Sequence, residues 1–260
     1  MLRLVTLSLC CLALASVTTA APTHPFSVND MLAMDRISDP RVSPDGKLVA
    51  FTVRVTDLEA NRGRTDIWVA AVDGSGARRL TTADASDSQA RWTPDGKALY
   101  FVSTRSGSSQ VWKIALDGGE AAQVTKLPLD VDALEVVPGG TRLLFSMTVV
   151  PGKSPAETKD ILEAKAKSKA SGMVFDKLFV RHWDTWDDGT RNHVFADDLA
   201  AGTATDLLGA MDVDCPTKPF GGSEDFAVSP EGATVVFSAK DAGRAEAWST
   251  NYDLYVVRTD

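Results

Sequence analysis

The segment Arg181-His182-Trp183-Asp184-Thr185-Trp186 contains the side chains in this sequence that are best suited to ligand chemistry. Two of the six tryptophans and two of the three histidines lie between His182 and His193. Polar and aromatic clusters in an inserted segment commonly form recognition surfaces. We therefore predict ligand binding by Arg181, His182, Trp183, Asp184 and Trp186. The alternative is that both indoles pack on the fold and His182 hydrogen-bonds locally.

Catalytic and cofactor motifs are missing from the sequence. No Gly-x-Ser-x-Gly elbow presents a serine, no His-Glu-x-x-His zinc motif occurs, and none of the three histidines accompanies a glycine-framed nucleophile. Gly74-Ser75-Gly76 lacks the third glycine and the helix of a dinucleotide site, so we predict a hairpin turn there. We predict no catalytic residue, no metal and no cofactor in this chain.

Charge and cysteine content exclude several classes of partner. The net charge is −8, which disfavours nucleic acids and anionic membranes because both attract clustered Lys and Arg. Asp187-Asp188 and Asp212-Val213-Asp214 lie outside any calcium loop, and we predict solvated loop carboxylates at both places. Cys215 has no basic neighbour in sequence, so a buried apolar role is expected.

Residues 1–21 have the pattern of a secretory signal peptide. Arg3 precedes the apolar run 4–15, and small residues follow, with cleavage expected near Ala20 or Ala21. We therefore predict a secreted or periplasmic protein.

One short phrase recurs and must position the predicted site. It reads Ser43-Pro44-Asp45-Gly46-Lys47, returns at Thr93–Lys97 and Ser229–Ala233, and has a decayed copy that begins at Val137. Pro, Asp and Gly are turn residues, and an apolar run follows each copy, so the phrase predicts a turn between two strands. A second phrase of aliphatic and aromatic residues ending in Asp-Gly supplies the third strand, as in Ile67–Gly74.

The repeat length predicts a β-propeller, an all-β fold. Successive copies are 50, 44 and 92 residues apart, and four strands in a period of about 40–50 residues are typical of propeller blades. We predict about three and a half four-stranded blades of a seven- or eight-bladed propeller, the fourth blade being cut off at Asp260. The predicted divisions are a signal peptide (1–21), a helical segment (22–36) capped by Ser27, and an incomplete propeller (37–260).

The long interval predicts a helix and hairpin inserted in the third blade, at residues 151–190. Ser154-Pro155-Ala156-Glu157 is a complete helix start, and the helix is expected to run to about Ala170, with Gly172 as its stop. A long hairpin should follow, with one strand ending at Trp186, a turn at 187–190, and the other strand beginning at Arg191.

Together these segments resemble the N-terminal propeller of the prolyl oligopeptidase family of serine peptidases. The opening residues 26–42 and the stretch Arg181–Trp186 are most similar to the branch of dipeptidyl-peptidase 5 and acylaminoacyl peptidases. The resemblance implies an α/β-hydrolase domain in cis beyond residue 260, with the catalytic Ser, Asp and His there. It also implies that the propeller caps the active site of an exopeptidase and admits short peptide substrates, with Trp183, Asp184 and Trp186 lining the chamber.

The competing interpretation is a non-enzymatic, TolB-like periplasmic propeller that binds proteins. It shares the signal peptide, the acidic charge and the repeats. We also expect the isolated chain to be poorly soluble, because an open stack of blades exposes an apolar face.

Overall fold

The repeated phrase forms tight turns between antiparallel strands in the computed structural model, which describes residues 24–259. The Ser43 hydroxyl donates to Asp45 Oδ1 at 2.7 Å, and the same carboxylate oxygen accepts from the Lys47 amide at 3.2 Å. Thr93, Asp95 and Lys97 repeat both bonds. The hydrogen bond from Ser43 and then that from Lys47 lower the pKa of Asp45. The turn prediction is confirmed.

The strands of the blades form four antiparallel sheets among the described residues, and each copy of the phrase connects the first two strands of its sheet. Blade 1 contains β1 (Arg36–Val42), β2 (Leu48–Asp57), β3 (Arg62–Ala71) and β4 (Arg78–Arg79). Blade 2 contains β5 (Asp87–Trp92), β6 (Ala98–Ser103), β7 (Gln110–Ala115) and β8 (Ala122–Gln123).

In the third sheet, the insertion separates the second strand from the third along the chain. The fourth sheet has three strands within the described residues. Blade 3 contains β9 (Asp132–Val136), β10 (Arg142–Val149), β13 (Arg191–Asp198) and β14 (Thr203–Asp206). Blade 4 contains β15 (Phe226–Val228), β16 (Thr234–Ala239) and β17 (Asp253–Arg258). This arrangement confirms the predicted all-β propeller class, while the total number of blades stays a prediction.

The hydrophobic core lies between neighbouring blades. Side chains from blades 1 and 2 form one cluster around Phe101, blades 2 and 3 share a second around Phe145, and blades 3 and 4 share a third around Phe237. Strand β6 is buried along its whole length because blades cover both of its faces. Its sequence therefore lacks the apolar–polar alternation of a half-exposed strand.

The turn glycines lie next to the turn prolines of the preceding blade. A Cβ on Gly140 would lie 3.0 Å from Pro94 Cδ, and one on Gly232 would lie 2.8 Å from Val137 Cγ1. On Gly46, the first copy, a Cβ would meet nothing within 4 Å. The glycine therefore serves both the turn, with φ near +70° at each position, and the contact between blades.

We expect Gly232→Ala to destabilise the protein more than Gly46→Ala. Both substitutions strain a positive φ, at a cost of about 1 kcal/mol. Only Gly232→Ala also overpacks a contact between blades, which adds about 1–3 kcal/mol. Chemical denaturation of the purified variants measures the difference, and equal losses would show that the blade contact contributes nothing.

The first strand of each of blades 1 to 3 carries a bulge at the same place in the repeat. Asp39, Gln89 and Ala133 adopt positive φ of 48°, 56° and 47°, each four residues before the turn phrase. The strand register shifts at each of these positions. A bulge re-aims the side chains that follow it, and two residues later stand Arg41, Arg91 and Glu135, which form one ionic network across three blades.

The insertion connects β10 to β13, and its path differs from the prediction. Helix α2 (Pro155–Lys167) begins at the predicted Ser154 cap with the reciprocal Glu157 bond. It ends at Lys167 rather than Ala170, and Gly172 is not its stop.

The predicted long hairpin is wrong. Residues Arg181–His182 (β11) and Thr185–Trp186 (β12) pair with each other around Trp183-Asp184. Arg191 begins β13, which pairs with β10 over eight residues and belongs to blade 3. The pairing with β10 takes the apolar residues of β13 into the core, which a hairpin with the insertion would leave exposed.

Residues 24–34 form a separate unit. It contains α1 (Val28–Ala33), and Ser27 caps it with Asp30 as the reciprocal partner, as predicted. The predicted signal peptide, residues 1–21, lies outside the described residues.

Candidate functional site

A cleft of about 450 Å³ opens where β10 leads into the insertion, at the end of the blades opposite the Ser-Pro-Asp-Gly turns. We call this side the insertion end. The lining combines aromatic rings with charged groups: Thr148, Phe179, His182, Thr185, Trp186, Asp187, Asp188, Thr190, Arg191, Asp214, Thr217, Lys218, Pro219, Lys240, Glu246 and Tyr252.

One wall of the cleft is aromatic and belongs to the insertion. The Phe179 and His182 rings stack with centroids 5.5 Å apart, and Trp186 stacks on Phe175 at 6.0 Å. Lys240 Nζ lies 5.7 Å from the Phe179 centroid and 6.0 Å from that of Tyr252. The same ammonium donates to the Glu246 carbonyl at 3.0 Å, so it links the insertion to the segment between β16 and β17.

The structure brings only part of the predicted binding segment to the cleft. His182 and Trp186 line it, and the Arg181 guanidinium carbon lies 5.3 Å from the Trp186 ring centroid. Trp183 packs edge-on against Phe220 at 5.1 Å, away from the lining, and Asp184 accepts from the Thr185 hydroxyl at 3.3 Å. Ligand binding by these residues stays a prediction.

Both tryptophans of the segment are exposed to solvent. Trp183 is 71% exposed and Trp186 is 51% exposed. Neither indole is buried, although Trp183 packs on Phe220 and Trp186 on Phe175. Trp183 also holds a positive φ of 55°, a conformation that is rare for a bulky residue and often marks a constrained functional turn.

Arg191 is the electrostatic centre of the other wall. Its Nε donates to Asp212 at 2.7 Å, Nη1 donates to Asp214 at 2.9 Å, and Nη2 donates to Glu246 at 2.8 Å. Lys218 Nζ lies 3.4 Å from Asp214. The prediction of a solvated carboxylate is wrong for Asp214, whose side chain is only 10% exposed, whereas the Asp212 side chain is 51% exposed. Both carboxylates are paired with the Arg191 guanidinium.

The cleft keeps these groups charged. Burial lowers the pKa of Arg191, but the hydrogen bonds that it donates to Glu246 and Asp212 outweigh burial and raise the pKa overall. Burial likewise raises the pKa of Asp212, and the bonds from Lys177 and Arg191 bring it below its ordinary value. Asp188 follows the same pattern, its two Thr190 bonds lowering the pKa against burial. A polar ligand therefore meets fixed charges.

Sequence reasoning missed Arg191, Lys218, Lys240 and Glu246. Their only local signal is position. Arg191 begins a strand directly after the insertion, Lys218 lies in the irregular segment before β15, and Lys240 and Glu246 lie between β16 and β17. The contacts join residues up to 55 positions apart, a separation that no local pattern encodes.

The other candidate groups have structural roles. His193 is buried, with Nδ1 2.9 Å from Asp206 and Nε2 3.1 Å from the Met211 carbonyl. Cys215 is a buried free thiol, as predicted, and burial raises its pKa to about 12. Within residues 24–259, no three His, Cys, Asp or Glu side chains cluster as a metal site. None of the helices in that range is long and apolar enough to cross a membrane.

Comparisons with known proteins agree with this architecture. The model of the TolB beta propeller domain matches residues 31–160. Dipeptidyl-peptidase 5 of Porphyromonas gingivalis is 33% identical over 249 residues, which is 93% of this chain and 36% of that protein. The Porphyromonas endodontalis enzyme of the same name is 31% identical over 251 residues, with 93% and 36% covered.

Solved structures show the same fold. The acylaminoacyl peptidase of Pyrococcus horikoshii superposes with a TM-score of 0.56 at 19% identity, over 87% of this chain and 31% of that one. An acylaminoacyl peptidase in complex with Z-Gly-Gly-Phe-chloromethyl ketone gives a TM-score of 0.58 at 18% identity, covering 87% and 31%.

The chain is thus a β-propeller, and it belongs to the TolB β-propeller family. More particularly, it is homologous to the N-terminal portion of dipeptidyl-peptidase 5, which confirms the resemblance, and it shares its fold with acylaminoacyl peptidases. The chain spans about a third of the length of the curated relatives it matches.

Proposed function

We propose that this chain is the propeller of an exported serine exopeptidase, in which it caps the active site and admits short peptides. The observation that carries the proposal is the similarity to dipeptidyl-peptidase 5 over 93% of the chain. The catalytic Ser, Asp and His would belong to an α/β-hydrolase domain of the same protein. Export rests on the signal-like residues 1–21.

The insertion end supports this role physically. The insertion and the cleft with its aromatic wall lie on one side of the blades, whereas the repeated turns occupy the other side. A rigid disc that presents this side to a catalytic domain excludes folded proteins and bulk water from the reaction. The exposed indoles would contact peptide side chains there, as large rigid side chains do at binding sites.

The full-length protein tests the proposal directly. We expect an active-site-directed fluorophosphonate to label one serine, and we expect cleavage of chromogenic dipeptidyl or acylaminoacyl substrates but not of folded casein. Heat-denatured protein is the control for non-specific labelling. No labelling and no cleavage, together with retained binding to other periplasmic proteins, would favour the TolB-like interaction module instead. Amino-terminal sequencing of the exported protein checks cleavage near Ala21.

We expect Trp186→Ala to change substrate specificity much more than stability. Removing an exposed indole from the cleft wall should lower kcat/KM for preferred dipeptide substrates about tenfold or more, the effect of a binding hot spot. The free energy of unfolding should change by less than about 1 kcal/mol because the side chain is half-exposed.

Trp248→Ala is the matched control, since Trp248 is 72% exposed and does not line the cleft. Steady-state kinetics and thermal unfolding of both variants decide the matter. If Trp186→Ala lost stability and activity in parallel, the indole would have a packing role.

A further inference from the structure

A second cleft of about 350 Å³ lies beside the first at the insertion end, between blades 2 and 3. The two clefts share Thr148. Of the described residues that line the second cleft, the charged ones are Asp130 and Asp132, and no Lys, Arg or His is among them. Its electrostatic field therefore favours a cation.

The two carboxylates are each fixed through one oxygen. Asp130 Oδ1 accepts from the Ser109 amide at 2.9 Å. Asp132 Oδ1 accepts from the Ala133 amide at 2.8 Å and from the Gln89 side chain. These bonds orient the carboxylates and leave the Oδ2 atoms without a hydrogen bond in the described part of the chain. In metal sites, hydrogen bonds from outer-shell groups orient the ligating carboxylates in the same way.

A buried hydroxyl supplies the independent observation. Ser146 lines the same cleft, is only 5% exposed, and its hydroxyl has no hydrogen-bond partner within residues 24–259. Its register partner on the neighbouring strand is Asp132, and the Cβ atoms of paired residues in an antiparallel sheet lie about 4.5–5.5 Å apart on one face. Because Ser146 lines the cleft and its hydroxyl bonds no described residue, this oxygen is free to bind a ligand there.

The donors in the cleft are all oxygens. Ser88 adds a half-buried hydroxyl, also without a partner among the described residues, from the first strand of blade 2. Carboxylate and hydroxyl oxygens without thiol or imidazole suit hard cations, and Ca²⁺ accepts irregular sets of oxygen ligands together with water, whereas Mg²⁺ demands near-octahedral geometry.

We propose that Asp130, Asp132, Ser146 and Ser88 form a calcium site that ties blade 2 to blade 3 beside the main cleft. Two carboxylates are a low charge count, so the affinity belongs to the range of extracellular calcium modules, a Kd of about 0.1–1 mM. The site is independent of catalysis, and binding can be measured whether or not the protein proves to be a peptidase.

The test is isothermal titration of CaCl₂ into chelator-treated full-length protein, with the Tm followed in parallel. We expect one site per chain, a Tm that rises with calcium, and weaker binding of MgCl₂. Asp132→Asn should weaken calcium binding about tenfold or more, because a charged ligand becomes neutral while its size is kept. Ser146→Ala should weaken it less and leave the Tm without calcium nearly unchanged, since its hydroxyl has no protein partner.

Asp117→Asn is the matched control. Asp117 is exposed on the turn between β7 and β8, at the other end of blade 2, so the same loss of charge should leave calcium binding unchanged. The proposal is overturned if calcium does not bind, if Asp132→Asn binds it as the control does, or if n-butylammonium chloride binds at the site and calcium does not. Loss of calcium binding in Asp132→Asn with no peptidase activity in any variant would uphold the site and reject the proposed function.

Discussion

Arg191→Met is expected to destabilise the full-length protein by about 3–5 kcal/mol, the usual cost of removing one partner from a buried ionic cluster. The substitution leaves Asp212, Asp214 and Glu246 without the guanidinium that each of them contacts. Methionine keeps most of the apolar volume, so the loss reports on charge rather than on a cavity.

The pH dependence of unfolding distinguishes this mechanism from lost packing. The pKa of Asp212 is lower in the folded protein than the ordinary carboxyl pKa of 3.8. Its carboxylate therefore contributes its full stabilisation at a pH above 3.8. That stabilisation is lost as the pH falls through the pKa of the folded state. The difference between wild type and Arg191→Met should therefore shrink below pH 4. A difference that stays constant with pH would contradict the electrostatic explanation.

Arg244→Met is the control for Arg191. Arg244 is exposed, with no side-chain hydrogen bond or ion pair among the described residues, and it lies two positions from Glu246. We expect a change within about 0.5 kcal/mol, as for most surface substitutions. A large loss in the control would mean that the segment near Glu246 is sensitive to any change.

Arg91→Met is expected to lower the free energy of unfolding by about 3 kcal/mol or more, because it also removes one partner from a buried ionic cluster. Arg91 has a side chain that is 6% exposed, and it donates to Asp39 at 2.7 Å, to Glu135 at 3.0 Å and to Ser223 at 3.1 Å. One side chain thus connects blades 1 and 3 and the 3₁₀ turn before β15. Its loss should also lower the cooperativity of unfolding, because neighbouring blades would then separate more easily.

Urea denaturation followed by tryptophan fluorescence measures both quantities. Arg36→Met is the matched control, because Arg36 is exposed at the start of β1 and has no side-chain partner among the described residues. If Arg91→Met had the same stability as Arg36→Met, the ionic network around the first strands would contribute nothing to the free energy of unfolding. Apolar packing between the blades would then account for their association.

These two arginines also explain how the site is held. Arg91 fixes the first strands of the blades against one another, and Arg191 fixes the insertion end, where β13 leaves the insertion, to the segments before and after β15. Both clefts lie at the insertion end.

Local signals account for what could be predicted. Ser43-Pro44-Asp45-Gly46 specifies its own turn through bonds within five residues, and Ser154 with Glu157 specifies the start of α2. Each such element depends only on its own side chains and backbone, so it can be predicted from the local sequence. Because the turns repeat, the propeller class and the place of the insertion followed from them.

The course of the insertion after α2 did not follow from local signals. The run 173–195 has aromatic and β-branched residues throughout, and its pattern fits a long hairpin as well as it fits the observed pairing of β13 with β10. Tertiary packing decides, since pairing with β10 buries Val194 and Phe195 in two core clusters.

By itself, the sequence determined the repeat, the turns, the helix caps, the propeller class and the family resemblance, because each depends on interactions between near neighbours or on a recurring motif. Only the tertiary structure decided that Trp183 and Trp186 are exposed, that Arg191 gathers three carboxylates, and that Ser146 faces Asp132. These contacts join residues from different blades and loops, and the stacking of the blades, rather than any local preference, brings them together.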